Sequence, residues 1–256
     1  MGAAALGRKL DAVILRPFVV EETGCASYLF GCPTHATVGV VDPHEALVDD
    51  YIRTAAERCG CRIDQVLDTH VHADHRSGAR ELAARTGAHL RMPADSPVEF
   101  DYEPLHDGEE VVLGKTRAKV IHTPGHTWEH VCLLVTDTAR GEDPWLVFTG
   151  DTLFVNAVGR PDLHGQQREL AAELRTSIQD RLMTLPDWID LYPGHVGGSA
   201  CGAGISSNPA STIGFERRHN ELLADGESLG AFVDELLAQQ QPAPPEYAEI
   251  YEANRQ

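Results

Sequence analysis

Short apolar runs alternate with polar turns along the chain and predict strands at 25–30, 36–41, 65–69, 88–92, 110–113, 116–121, 131–136, 145–149 and 189–192. Between and after them the apolar period lengthens to that of a helix. A helix is predicted over 44–58, opened by Asp42-Pro43 with Asp42 as its N-cap, and a short one over 77–84, closed by Gly87. Over 166–182, Leu170, Leu174, Ile178 and Leu182 recur at every fourth position and form one apolar face. Two further helices are predicted over 209–223 and 229–240. There is no internal repeat of solenoid period, and the alternation of strands with helices points to a mixed α/β domain.

Ligand-type residues gather where the strands end. The run 65–69 leads directly into His70-Val71-His72-Ala73-Asp74-His75. Three imidazoles so close make poor core filler, because each ring needs a partner for a nitrogen, whereas loops at strand ends are where catalytic groups collect. Three more signals follow, each after an apolar run: His126 in His122-Thr123-Pro124-Gly125-His126, Asp151 in Thr149-Gly150-Asp151-Thr152, and His195 in Tyr192-Pro193-Gly194-His195. Pro124 and Gly125 force a turn that aims His126 back at the strand ends. A single strand-end Asp is more often a helix cap, and a single His more often a satisfied surface residue. Four such signals in order make a metal enzyme.

This order resembles the metallo-β-lactamase superfamily, whose signature is H-x-H-x-D-H followed by single His, Asp and His residues. The match is complete at His70, His72, Asp74, His75, His126, Asp151 and His195. The resemblance implies a four-layer αββα sandwich, two mixed sheets face to face with helices outside, and a metal site at the open edge between the sheets. Imidazole and carboxylate without thiolate suit zinc, iron or manganese. Two occupancies follow. In one, His70, His72 and His126 bind a first metal, Asp74, His75 and His195 a second, and Asp151 bridges them for hydrolysis, with Zn(II) in both places. In the other, His72, His126 and Asp151, with His70 adjacent, bind one Fe(II) and leave positions open for substrate and dioxygen.

Segments outside the ligands resemble the persulfide dioxygenases. Gly159-Arg160-Pro161-Asp162 is similar to their G-R-(T/P)-D, where the related glyoxalase II usually has G-R-x-F-E. Gly197-Gly198-Ser199-Ala200-Cys201-Gly202 resembles the G-x-G-S-x-C-G loop of members fused to a rhodanese domain, and Pro244-Pro245-Glu246-Tyr247 through Asn254-Arg255 resembles the end of their catalytic domain. That likeness implies an ordered tail, although a Pro-rich stretch alone reads as a linker. No rhodanese segment follows, so a separate rhodanese partner is expected. The basic cluster with which glyoxalase II holds glutathione is missing too: after Arg218 the charged residues are Glu and Asp until Arg255. The implied activity is oxidation of a small thiol persulfide, such as glutathione persulfide, by O2 to sulfite and thiol, with thioester hydrolysis of the glyoxalase II type as the alternative. In the dioxygenase reading His70, Asp74, His75 and His195 orient the ligands or bind water. Asp74, Arg160 and Cys201 are the candidate catalytic residues. Arg160 either meets the substrate or holds the loop through Asp162, and Cys201 either handles sulfur or simply packs. Tyr192 is expected in the core.

Composition and charge narrow the picture further. A chain of 256 residues, 42% hydrophobic and 23% charged, is of the size and make-up of one globular domain. The net charge of −18 argues against nucleic acid and against anionic membrane surfaces. An anionic substrate would need a local basic patch, for which Arg76, Arg160, Arg168, Arg217 and Arg218 are the candidates. No run has transmembrane length, and Met1 to Leu6 carries neither a long apolar leader nor a myristoylation pattern, so a cytoplasmic enzyme is expected. Homo-oligomerisation stays open. The six cysteines show no zinc-finger spacing and are expected as reduced thiols. A non-catalytic redox module built on Cys59-Gly60-Cys61 and the histidines is the third reading, disfavoured because so many ligands at strand ends would burden a scaffold to no purpose.

Overall fold

Alternation along the strands decides which faces meet. The computed structural model describes residues 13–163, 165–223, 228–240 and 242–256; the expectation for Met1 to Leu6 lies outside them. The first sheet holds β1 (Ile14–Val20), β2 (Cys25–Cys32), β3 (Thr37–Val41), β4 (Arg62–Leu67), β5 (His89–Pro93) and β6 (Glu103–Leu105), side by side in that order. The chain then enters β7 (Glu110–Leu113), β8 (Thr116–His122), β9 (Val131–Asp137) and β10 (Pro144–Gly150), makes a small ribbon of β11 (Leu153–Phe154) and β12 (Ala157–Val158), and returns in β13 (Asp190–Pro193) and β14 (Ser211–Thr212). The second sheet has the order β14-β13-β10-β9-β8-β7. Both are mixed: β3 to β6 run parallel in the first, and β10 with β13 in the second, while the other neighbours are antiparallel.

Tyr28, Phe30, Val41 and Leu67 of the first sheet meet Leu113, Val120, Leu133 and Phe148 of the second in one buried cluster. Their neighbours in sequence point the other way. Leu29, Val40 and Val66 pack under α1 (Val48–Arg53) and α2 (Ala79–Thr86) through Val48, Tyr51 and Leu82. Cys132, Val147 and Leu191 pack under α3 (Gln167–Ser177), α4 (Ile213–His219) and α5 (Leu229–Gln239) through Leu174, Ile213 and Phe232. Three apolar seams between four layers make the αββα sandwich that the resemblance implies. Truncating a side chain in the middle seam, such as Leu133→Ala, costs about 2–5 kcal/mol. A last helix, α6 (Tyr247–Arg255), follows the Pro-rich segment, in keeping with the likeness of this stretch to known catalytic domains.

Several local predictions are corrected. Among the described residues, five strands lie outside the predicted ones: β11, β12 and β14 are two-residue pairings too short to carry a pattern, and β1 and β6 are edge strands whose patterns Pro17 and Pro104 blur, as edges allow. Asp42 is not the helix cap. Its backbone is left-handed, with φ 51°, and its carboxylate turns inward to accept from Thr69 N at 2.7 Å and Thr69 Oγ1 at 3.0 Å. His44 caps instead, through Nδ1 to Ala46 N. The helix predicted from 209 begins only at Ile213, because Ser211 and Thr212 pair with Asp190 and Leu191 and Thr212 then caps the helix. Leu170, Leu174, Ile178 and Leu182 do form a fully buried face, although the helix widens to π geometry from Ile178.

Candidate metal centre

The ends of β4, β8, β10 and β13 carry the predicted ligands to one rim of the sandwich. Glycine makes the close approach there. A Cβ on Gly194 would lie 2.5 Å from Asp151 Oδ1, and one on Gly125, whose φ is 147°, would strike Leu174 of α3. The seven motif residues are gathered, but not as one cluster.

His70, His126 and Asp151 bring ligand atoms together within 4.8 Å of one another, fully buried. His126 donates Nδ1–H to the Arg160 carbonyl at 2.8 Å, which leaves Nε2 as the lone-pair nitrogen, 3.6 Å from Asp151 Oδ2. His70 Nδ1 bonds Thr69 Oγ1 at 2.9 Å; that hydroxyl gives its own proton to Asp42, so the imidazole is the donor there. His70 Nε2 and Asp151 Oδ2 are buried with no hydrogen-bond partner. Burial and the neighbouring His72 and His126 hold the His70 pKa well below its ordinary value, so the ring is neutral. Two lone-pair nitrogens and a carboxylate oxygen without partners are the donor set of a divalent metal.

The sequence expectation has His72 with His126 and Asp151; in the structure His70 takes that place. His72 turns to the other side of the rim, where Nε2 lies 3.3 Å from Asp42 Oδ1 and 3.7 Å from Asp68 Oδ1. Burial lowers its pKa, but those two carboxylates override it and hold the ring protonated. Asp74 is paired in the same way: its Oδ2 accepts from His75 Nδ1 at 3.0 Å and from His195 Nε2 at 2.8 Å. His195 reaches Asp151 Oδ1 at 2.9 Å with its other nitrogen. Burial opposes charge at each group. Even so, Asp74 is held well below the carboxylate range by His75 and His195, while Asp74 raises His75 to about 9. His72, Asp74 and His75 still offer ligand atoms within 4.8 Å of one another, with His75 Nε2 and both His72 nitrogens lacking a hydrogen-bond partner.

Other supports had weak sequence signals or none. His130 stacks on His70 with centroids 5.0 Å apart and accepts from Asp151 N at 3.0 Å, and Glu129 accepts from Val71 N at 3.1 Å. Their sequence signal was the repeat of ligand-type residues just after His126. Asn254 of α6 carries no signal of its own beyond the likeness of the tail to known catalytic domains. Its amide donates to the His72 and His75 carbonyls at 2.9 and 2.8 Å and accepts from Ser77 N at 3.0 Å, clamping both ends of the histidine loop.

Arg160 is buried, forks onto Asp162 with two bonds of 2.8 Å, and donates to the Ala200 carbonyl. It thus ties the G-R-P-D segment to the loop that carries Cys201. Cys201 is buried beside Ala73, Phe154 and Tyr247, with Sγ in reach of Asp151 and His195; burial, then Asp74, pushes its thiol up to about 12. Cys25, which carries no motif signal in the sequence, donates its thiol to Asp74 at 3.1 Å. Cys61 packs under the first sheet, apart from the histidines. The other arginines named as candidates for a basic patch are each paired with an acid: Arg76 with Glu249, Arg168 with Asp234, and Arg217 and Arg218 with Asp187. Tyr192 joins the aromatic seam beside Tyr28, as expected.

Comparison with known proteins agrees with this geometry. The family profile described as Metallo-beta-lactamase superfamily matches residues 22–195, which hold every motif ligand. The chain belongs to the metallo-beta-lactamase superfamily. Hydroxyacylglutathione hydrolase from Nitrosococcus oceani is 33% identical over 172 residues, 66% of this chain and 61% of that protein, so the chain spans less than two thirds of that relative's length. An uncharacterised protein of Mycobacterium tuberculosis is 39% identical over 236 residues, covering 82% of this chain and 98% of its own. Among solved structures, a metallo-beta-lactamase from Staphylococcus aureus superposes with TM-score 0.89 at 31% identity, over 96% of this chain and 73% of that one. ETHE1 from Myxococcus xanthus superposes with TM-score 0.82 at 30% identity, over 94% and 98%. Members of this superfamily are metal-dependent enzymes, hydrolases and oxidoreductases among them. No helix among the described residues is long and apolar enough to cross a membrane.

Proposed function

We propose that this chain is an Fe(II) persulfide dioxygenase, with His70, His126 and Asp151 as the protein ligands of one iron. The observation that carries the reading is the split of the motif. His70, His126 and Asp151 converge, with His70 Nε2 and Asp151 Oδ2 unpartnered and His126 Nε2 facing Asp151, while His72 lies against Asp42 and Asp68, and Asp74 is hydrogen-bonded to His195. Two histidines and one carboxylate form the face that suits iron and leaves positions open. Arg160, forked onto Asp162 and donating to the Ala200 carbonyl, joins the two segments that resemble persulfide dioxygenases, and the likeness to ETHE1 runs along nearly all of both chains.

The overall reaction is RSSH + O2 + H2O → RSH + H2SO3, in which the outer sulfur gives four electrons to O2. Bound iron would supply the redox chemistry and hold both reactants. The protein's own groups set the stage: His130 fixes the backbone of Asp151, the Arg160 carbonyl fixes the His126 ring, and Asp42 fixes Thr69 and through it His70. Protonated His195, between Asp151 and Asp74, is the donor nearest the ligands and positions the Asp151 carboxylate.

A dizinc thioester hydrolase is the second reading, favoured by the atoms that His72, Asp74 and His75 hold close together and by the hydroxyacylglutathione hydrolase matches. Metal analysis of anaerobically purified protein, paired with oxygen uptake on a persulfide, decides. About one iron per chain with oxygen uptake is expected. Two tightly held zinc ions with thioester hydrolysis and no oxygen uptake would establish the rival.

A further inference from the structure

Two cavities flank the ligand loops. One, of about 560 Å³, opens against Ala73 and Tyr247, and the other, of about 500 Å³, against Thr127 and Trp128. Tyr251 of α6 lines both. Their acidic groups are Asp162 in the first and Asp95 and Glu129 in the second; His122 also lines the second, with Nε2 turned to the Trp128 carbonyl at 2.9 Å, and no lysine or arginine lines either among the described residues. The guanidinium groups nearby are already committed. Arg160 is forked onto Asp162, and Arg76 pairs with Glu249. Arg255 lies over the Tyr251 ring, with Nε on the Pro97 carbonyl and a terminal nitrogen on Glu252. Arg160 offsets Asp162, so Asp95 and Glu129 leave the walls net negative in a chain whose total charge is −18.

We infer that the persulfide taken by this site is carried by a thiol without net negative charge, one bearing hydroxyl or amine groups rather than carboxylates. The inference rests on the dioxygenase reading for the persulfide, but its charge argument stands on the cavity walls alone. A carboxylate on the carrier would leave water for a half-enclosed space with like charges and, among the described residues, no lysine or arginine to pair with. A hydroxyl or ammonium group instead finds acceptors in Asp95 and Glu129.

The test uses the full chain and three probes of similar size: cysteamine, which is cationic, 2-mercaptoethanol, which is neutral, and 3-mercaptopropionate, which is anionic. Oxygen uptake is followed with the persulfide of each, and equilibrium binding with the unreactive S-methyl derivative of each. The anionic probe should show a kcat/KM at least about tenfold below the other two, rising with salt, and the same order in binding. Asp95→Asn, a change its left-handed backbone tolerates, should narrow the gap by improving the anionic probe. Absence of oxygen uptake from all three, with the binding order kept, would remove the dioxygenase reading and still support charge selection. An anionic probe that binds or turns over as well as the neutral one would overturn the inference.

Discussion

The two halves of the histidine rim are built from the same residue types and stand in opposite states. On one side His70, His126 and Asp151 present unpartnered or lone-pair donor atoms to a common point. On the other, His72 faces Asp42 and Asp68, and Asp74 holds His75 and His195. A buried imidazole is a metal ligand while neutral and an ion-pair partner once protonated, so the placement of four carboxylates sorts the motif. Asp151 converges on neutral His70; Asp42, Asp68 and Asp74 neutralise the protonated rings. A signature shared by hydrolases and oxidoreductases can therefore be divided by residues outside it, Asp42 above all.

The sharpest way to break the comparison is to remove a convergent donor. His70→Ala or Asp151→Ala should bring iron to background and lower oxygen uptake by more than about 100-fold, beyond the range of groups that only orient ligands. Elemental analysis and an oxygen electrode read both effects. Retention of full iron in His70→Ala would dissolve the distinction between the two sides.

Next comes the clamp common to both. Asn254→Ala frees the His72 and His75 carbonyls and Ser77 N at once, for a loss of about 1–3 kcal/mol in stability. Iron affinity should fall by about tenfold or more with it. Asn254→Asp keeps the acceptor for Ser77 but sets a carboxylate against two carbonyls, so it should do no better. Thermal unfolding and metal competition are the checks, and wild-type iron affinity in both variants would show the clamp to be idle.

How much of this could be read beforehand follows from where each determinant lies in sequence. Period and turn residues marked nearly all the buried strands, because each carries its pattern in adjacent positions; β1 and β6 hid behind their prolines. Every motif ligand was legible as a residue type at a strand end. Which histidine faces which way was not, for a loop has no two-residue period to assign its sides. The answer comes from β3, whose parallel pairing of Val41 with Leu67 sets Asp42 beside Thr69. Asn254 is farther still, 177 positions from Ser77, and only the likeness of the tail to known catalytic domains pointed to it.

Smaller effects sharpen the paired side. His75→Ala should keep its iron and lose about tenfold in turnover, since the ring orients Asp74 and not the metal. Metal loss in that variant would move it among the ligands. Cys201→Ser replaces a thiol packed against Phe154 and Tyr247 by a group of similar size, and should leave iron unchanged and turnover within about threefold. A larger fall with persulfide, at unchanged iron, would assign the thiol to sulfur handling.

The most direct measurement compares His70→Ala with His72→Ala, made and purified side by side without oxygen, by metal content per chain. The two residues are neighbours in one motif, and a dinuclear hydrolase needs both for its first metal. The account predicts that His70→Ala is empty while His72→Ala keeps most of its iron. Equal loss from both, from a wild type holding two metals, would contradict it.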